Sequence, residues 1–197
     1  MLLKDQLIGY NLILGSASPR RRELLESLAI PFSVDSGSNT PEIIDPALPL
    51  LEVAPDLSRQ KSEGFHRSLA RGEILLTADT VVICGQEIMG KPKDEADASR
   101  MLHALSGCSH LVCTGCTLRE GSRSDTFSAV TEVSFRELSD EEIDYYIRNY
   151  RPFDKAGAYG IQEWIGSVGL SGIKGSFYNV MGLPVRLVHD RLKTFIP

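Results

Sequence analysis

Tyr10-Asn-Leu-Ile-Leu-Gly-Ser-Ala-Ser-Pro-Arg-Arg-Arg-Glu-Leu-Leu25 decides the fold class. Tyr10 to Leu14 is a short apolar run ending at Gly15, the pattern of a buried first strand. Ser18-Pro19 then opens a helical pattern in which Leu24, Leu25 and Leu28 share a face. Strand, loop and helix in that order begin an α/β protein. Working outward, Pro31 to Val34 reads as a second strand and Asp35 to Pro49 as an irregular loop. Pro55 to Ala70 is predicted helical. Glu73 to Cys84 is strongly strand-like, with a turn near Gly85 and a hairpin return through Glu87 to Met89. Asp94 to Leu105 has the spacing of an amphipathic helix. Strands over about 110–119 and 125–136 flank a turn at Glu120-Gly121-Ser122. Ser139 and Glu142 form a capping box for a helix over 140–150. A Gly-rich stretch from Arg151 to Gly182 is expected to be irregular. A last helix places Leu183, Leu187, Val188 and Leu192 on one face, with Pro184 in its first turn.

The chain has 197 residues, enough for one roomy domain or two small lobes, and no linker marks a boundary. With 42% hydrophobic and 24% charged residues it has the composition of a folded globular protein, not of a disordered or fibrous one. Lys plus Arg number 21 against 26 Asp plus Glu, a formal net charge of −5, which argues against broad nucleic-acid binding. An anion would need a local basic pocket. The opening residues lack the ordered parts of a signal peptide, and no apolar run is long enough to span a bilayer, so a cytoplasmic protein is expected. Four cysteines, at 84, 108, 113 and 116, suit a reducing compartment without disulfides. Cys113-Thr-Gly-Cys116 has zinc-knuckle spacing, but on a strand those positions point to opposite faces, so the cysteines read as small buried hydrophobes.

Four stretches carry chemistry. In Gly15-Ser-Ala-Ser-Pro-Arg-Arg-Arg22, Ser18 is the expected N-cap and Arg20 to Arg22 fall in the first helical turn. There the helix dipole disfavours cations unless a phosphate joins them. In Thr77-Ala-Asp-Thr-Val-Val82, Asp79 interrupts an apolar strand, and a carboxylate in that setting needs a cation, hydrogen bonds or a metal. It could then serve as general base. Gly90-Lys-Pro92 aims Lys91 from an extended backbone. Lys61 on its helix reads by itself as a solvated lysine. Asp154-Lys-Ala-Gly-Ala-Tyr-Gly-Ile-Gln162 and Gly175-Ser-Phe-Tyr-Asn-Val-Met-Gly-Leu-Pro184 are glycine-dense loops. Gln162 offers paired donor and acceptor groups suited to a base edge, and Tyr159 a packing or hydrogen-bonding ring.

Taken in order, Ser16-Ala-Ser-Pro-Arg-Arg, Ala78-Asp-Thr-Val-Val, Gly90-Lys-Pro, Asp154 to Gln162 and Gly182-Leu-Pro resemble the Maf family of nucleoside triphosphate pyrophosphatases over nearly the whole chain. The resemblance implies an elongated, mixed-sheet α/β fold of the inosine triphosphatase-like kind, a single domain of two lobes around a central cleft. It implies hydrolysis of a nucleoside triphosphate between the α- and β-phosphates, with a divalent cation, Mg²⁺ or Mn²⁺, as cofactor. By matching positions, Asp79 is the implied general base, and Ser16, Arg20, Arg21, Lys61, Lys91 and Lys155 the substrate-binding groups. Glu42, with Asp79, is the implied metal site. Arg20, Thr80 and Gln162 match the dTTP/UTP group of the family. The group associated with 7-methyl-GTP shows Trp, Gln and Glu at those positions. The family further suggests a homodimer. An alternative role is a nucleotide-binding regulator of cell division and septum formation with little turnover.

Overall fold

The structure is a computed structural model and describes residues 1–37, 41 and 43–196. Its elements alternate as the opening stretch requires. They run α1 (Leu3–Gln6), β1 (Asn11–Leu14), α2 (Pro19–Glu26), β2 (Ser33–Val34), α3 (Val53–Glu63), β3 (Glu73–Cys84) and β4 (Glu87–Met89). Then follow α4 (Glu95–Leu105), β5 (Ser109–Glu120), β6 (Arg123–Phe135), α5 (Asp140–Tyr150), α6 (Trp164–Gly169), β7 (Leu170–Lys174), α7 (Phe177–Met181) and α8 (Val185–Phe195). The strands form a mixed seven-stranded sheet in the order β2-β1-β3-β5-β6-β7, with β4 on β3. β1 runs parallel to both β2 and β3, while β3 with β4 and β6 with β7 are antiparallel. The mixed α/β class is therefore observed. Leu12, Ile13 and Leu14 are all buried, as a continuous apolar run in a strand covered on both faces should be.

The chain divides into two compact units, residues 1–79, 114–129 and 182–197, and residues 80–113 and 130–181. β3, β5 and β6 each give one part of their length to each unit. In the first unit Ile13, Phe65 and Leu75 pack together with Leu69 against them. In the second, α4 contributes Ala98, Met101, Leu102 and Leu105, and α5 contributes Ile143, Tyr146 and Ile147, to a core with Val112, Val133 and Phe135.

Two departures from the sequence reading have physical causes. The helix expected to reach Ala70 stops at Glu63, because Gly64 caps it and Arg119 takes the carbonyl of Ser62 at 2.6 Å. Residues 151–182 are not irregular throughout. They hold a 3₁₀ turn at Ala156–Ala158, α6, β7 and α7, each only three to six residues long, too short for a periodic signal. Pro184 stands at the N-cap of α8, one place before its first turn. Cys113 and Cys116 are both buried despite opposite parity, because β5 is covered on both faces, and none of the four cysteines is in a disulfide. Among the described residues no helix is long and apolar enough to cross a membrane.

Candidate active site

In the first unit, Asp79 lies on β3 between the buried Ala78 and the partly exposed Thr80, its own side chain 14% exposed. The charge partner such a carboxylate needs is Lys61. Its side chain is 19% exposed, and its ammonium hydrogen-bonds Asp79 Oδ1. Lys61 is thus not the solvated helix lysine that its isolated position on α3 predicts. The resemblance brought it to the site, and the fold supplies the reason.

That reason is a set of hydroxyls between α3 and the sheet. Thr77 Oγ1 donates to the Ser58 carbonyl at 2.7 Å, and Ser58 Oγ donates to the Pro55 carbonyl at 2.8 Å. Ser58 Oγ also lies 2.8 Å from Thr117 Oγ1, which is 3.0 Å from Thr126 Oγ1. Each hydroxyl has one proton, so with Ser58 donating to Pro55, Thr117 donates to Ser58 and Thr126 to Thr117. At Gly115 a Cβ would stand 2.3 Å from the Ala54 and Pro55 backbone, so only glycine lets β5 approach α3 this closely. Arg119 completes the attachment, its Nε donating to Ser62 Oγ at 3.0 Å. Burial draws the Arg119 pKa down from its ordinary value. Arg119 stands beside Glu120 at the polar end of β5, where an arginine is unremarkable, so its role shows only in the fold.

The loop after β1 places Ser16 and Arg21 together. Arg21 Nη1 donates to Ser16 Oγ at 3.4 Å, and its Nε to the Gly182 carbonyl at 2.9 Å. Two motifs 161 residues apart thereby meet within the first unit. Ser18 is the N-cap residue of α2 but makes no side-chain cap bond, and no acidic residue offsets the dipole in the first turn. Arg22, exposed, pairs with Glu26 at 2.9 Å, while Arg20 is half-buried. Arg20 and Arg21, not Arg22, are therefore the arginines turned from bulk solvent.

The second unit carries Thr80, Lys91, Lys155 and Gln162. The Gly90 carbonyl accepts the Gly157 N–H at 3.0 Å, so Gly90-Lys91-Pro92 and the Asp154–Gln162 loop are joined. Lys91 is exposed beside that bond. Gly157 and Ala158 both adopt positive φ, 69° and 59°, and the buried Ala158 pays for it with steric strain of about 1–2 kcal/mol. Tyr159 is buried against His110 and Phe135, its hydroxyl 2.8 Å from His110 Nε2. Burial lowers the His110 pKa to about 4 and raises that of Tyr159. Lys155 is 10% exposed, and its ammonium bonds Asp154 Oδ1 at 2.7 Å and Glu163 Oε1 at 3.0 Å. Gln162 stands exposed beside Glu163. Glu163 also accepts the Tyr146 hydroxyl, a contact that neither residue's local sequence announces, for each has the ordinary character of its element and they meet only in the fold.

Of the two implied metal ligands, Glu42 lies outside the described residues. Among the described residues no three His, Cys, Asp or Glu side chains gather into a metal-binding group. Mg²⁺ keeps several waters and is commonly held by one or two carboxylates together with substrate phosphates, so Asp79, a hard oxygen donor already facing a cation, fits such a role.

Comparison with known proteins gives the family. Residues 11–195 match the model of the Maf-like protein family, and the chain belongs to that family. A relative from Phocaeicola vulgatus named dTTP/UTP pyrophosphatase is 48% identical over 96% of this chain and 98% of its own. One of the same name from Porphyromonas gingivalis strain W83 is 47% identical over 97% of each chain. Among solved structures, a HAM1 protein from Coxiella burnetii is 15% identical over 94% of this chain and 99% of its own, with a TM-score of 0.46.

Proposed function

We propose that this protein is a nucleoside triphosphate pyrophosphatase that hydrolyses dTTP and UTP to the nucleoside monophosphate and pyrophosphate, with modified pyrimidine nucleotides as further substrates. The observation that carries the reading is Asp79, a carboxylate set in an apolar strand with a lysine ammonium against it. Its context is a chain of the Maf-like family whose near full-length relatives bear that enzyme's name.

Asp79 orients and deprotonates the attacking water. Its ammonium partner, Lys61, sits in a partly desolvated setting, where charge interactions are stronger than in water. Arg20, Arg21, Lys91 and Ser16 bind phosphate oxygens. The arginines do so as forked, charge-assisted donors whose unfavourable position at the α2 dipole a phosphate would offset. The pyrophosphate leaving group gathers charge that these cations stabilise. Arg20, Thr80 and Gln162 set the choice of nucleotide, Gln162 by pairing its amide with a carbonyl and ring N–H of uracil or thymine. A bound Mg²⁺ or Mn²⁺, held by Asp79 and by Glu42, would neutralise phosphate charge. We take the compartment to be the cytoplasm, in keeping with four cysteines that make no disulfide, and the assembly to be a homodimer, as the family suggests.

The test is turnover of a nucleotide panel by the purified protein with Mg²⁺, scoring pyrophosphate separately from orthophosphate. Pyrophosphate from dTTP and UTP is expected. Orthophosphate alone would refute the cleavage position, and no turnover of any nucleotide would favour the regulatory role.

A further inference from the structure

Reading a pyrimidine edge with one glutamine amide demands more than an amide. Both hydrogen bonds must meet their partners in distance and angle, and slack of about 1 Å forfeits them. Gln162 is exposed, and a glutamine side chain at the surface samples many rotamers. Its accuracy must come from the backbone on either side.

That backbone is clamped. The Glu163 N–H donates to the Gly160 carbonyl at 3.0 Å, closing a turn with Ile161 and Gln162 at its tip. Ile161 is buried in the core of the second unit. Across the base of the turn lies Tyr146 of α5, a fully buried ring. Its hydroxyl accepts the Gly160 N–H at 2.9 Å and donates to Glu163 Oε2. The other carboxylate oxygen, Oε1, takes Lys155 at 3.0 Å, and Lys155 also holds Asp154 at 2.7 Å. A Cβ at Gly160 would lie 2.8 Å from Glu163 Cδ and 3.0 Å from Lys155 Cε, so the close seating of this ion pair requires glycine there. One phenol therefore ties the residue two before Gln162 to the residue after it. Burial and the neighbouring carboxylate hold that phenol protonated, as the donor to Glu163.

We propose that Tyr146, Glu163 and Lys155 are positioning residues that set the Gln162 amide and thereby the enzyme's preference among bases. The proposal rests on the reading of Gln162 as the base-recognising residue. It assigns to Lys155 an action through Glu163 instead of a contact with substrate.

The test compares Tyr146→Phe, Glu163→Gln, Glu163→Ala and Gln162→Ala with the parent protein, measuring kcat and KM for dTTP, UTP, CTP and GTP under conditions where each variant is folded by circular dichroism. Tyr146→Phe removes one oxygen and keeps the packed ring. It is expected to lower the dTTP-to-CTP and dTTP-to-GTP ratios of kcat/KM by about tenfold, chiefly through KM for dTTP. Glu163→Gln, which keeps an acceptor for Tyr146, should lose selectivity less than Glu163→Ala. A merely structural role would instead lower all four nucleotides together, and that result overturns the proposal. So does unchanged selectivity in Tyr146→Phe and Glu163→Gln when Gln162→Ala loses it, with the base reading left standing. Unchanged selectivity in Gln162→Ala overturns the base reading itself and this proposal with it. Should Tyr146→Phe not fold, the Glu163 pair decides by the same criteria.

Discussion

The surroundings of Asp79 and those of Glu163 use the same ingredients to opposite ends. Each is an acid paired with a lysine inside one compact unit. Asp79 has Lys61 against one of its oxygens. Glu163 has both oxygens taken, one by a buried phenol and one by a lysine that a second carboxylate also holds. An acid of the first kind can change partners when a substrate brings phosphates and a cation. An acid of the second kind is committed, because releasing it would leave a buried phenol O–H without its acceptor. On the roles proposed above, chemistry goes with the first arrangement and geometry with the second.

The largest effect that could break this contrast is on turnover. Asp79→Asn keeps the size of the side chain and removes its charge and basicity. It should lower kcat by ~10²–10⁴, the usual range for a general base, with a small change in melting temperature. Near-normal turnover would remove Asp79 from the chemistry. Lys155→Met should show the reverse pattern: a loss of roughly 2–3 kcal/mol of stability by urea unfolding, from leaving Glu163 without its cation. A Lys155→Met protein as stable as the parent would show the second arrangement to be no more committed than the first.

The second unit should also reveal itself through pH. Burial places the folded His110 pKa at about 4, below its ordinary 6.5. As pH falls below 6.5 the unfolded chain takes up a proton that the folded protein refuses, so stability present above 6.5 declines until about pH 4. The loss approaches about 3 kcal/mol at ~1.4 kcal/mol per unit. Glu142, held by Arg136 and the Ser139 N–H with its pKa at about 2, loses its contribution only at lower pH, from 4.5 downward. The two windows are separable, and urea midpoints between pH 7 and 4.5 should flatten in His110→Gln. An unchanged slope in that variant would contradict the assignment. The smallest effect is at Ser139, where both bonds of the capping box are present and Ser139→Ala should cost about 1 kcal/mol by thermal unfolding.

Legibility in the sequence follows the same division. The span of α5 and the Ser139–Glu142 box are read correctly because capping and amphipathic spacing are local properties. Asp79 stands out because a carboxylate in an apolar strand violates local preference. Lys61 shows how far such reading reaches. Alone it resembles any helix lysine, and only the hydroxyl set through Ser58, Thr77 and Thr117, with Gly115 and Arg119, turns it onto Asp79. Tyr146 and Glu163 violate nothing locally, since their significance lies in a contact across 17 residues. The short elements after Arg151 escaped because three to six residues cannot display a period.

On the proposed mechanism a water oriented by Asp79 attacks the α-phosphorus and expels pyrophosphate. Hydrolysis of dTTP with Mg²⁺ in ¹⁸O-enriched water, with products analysed by mass spectrometry, tests it directly. The label is expected in dTMP and not in pyrophosphate, with its rate of appearance falling in Asp79→Asn as turnover falls. Label in the pyrophosphate would mean attack at the β-phosphorus and would overturn that mechanism.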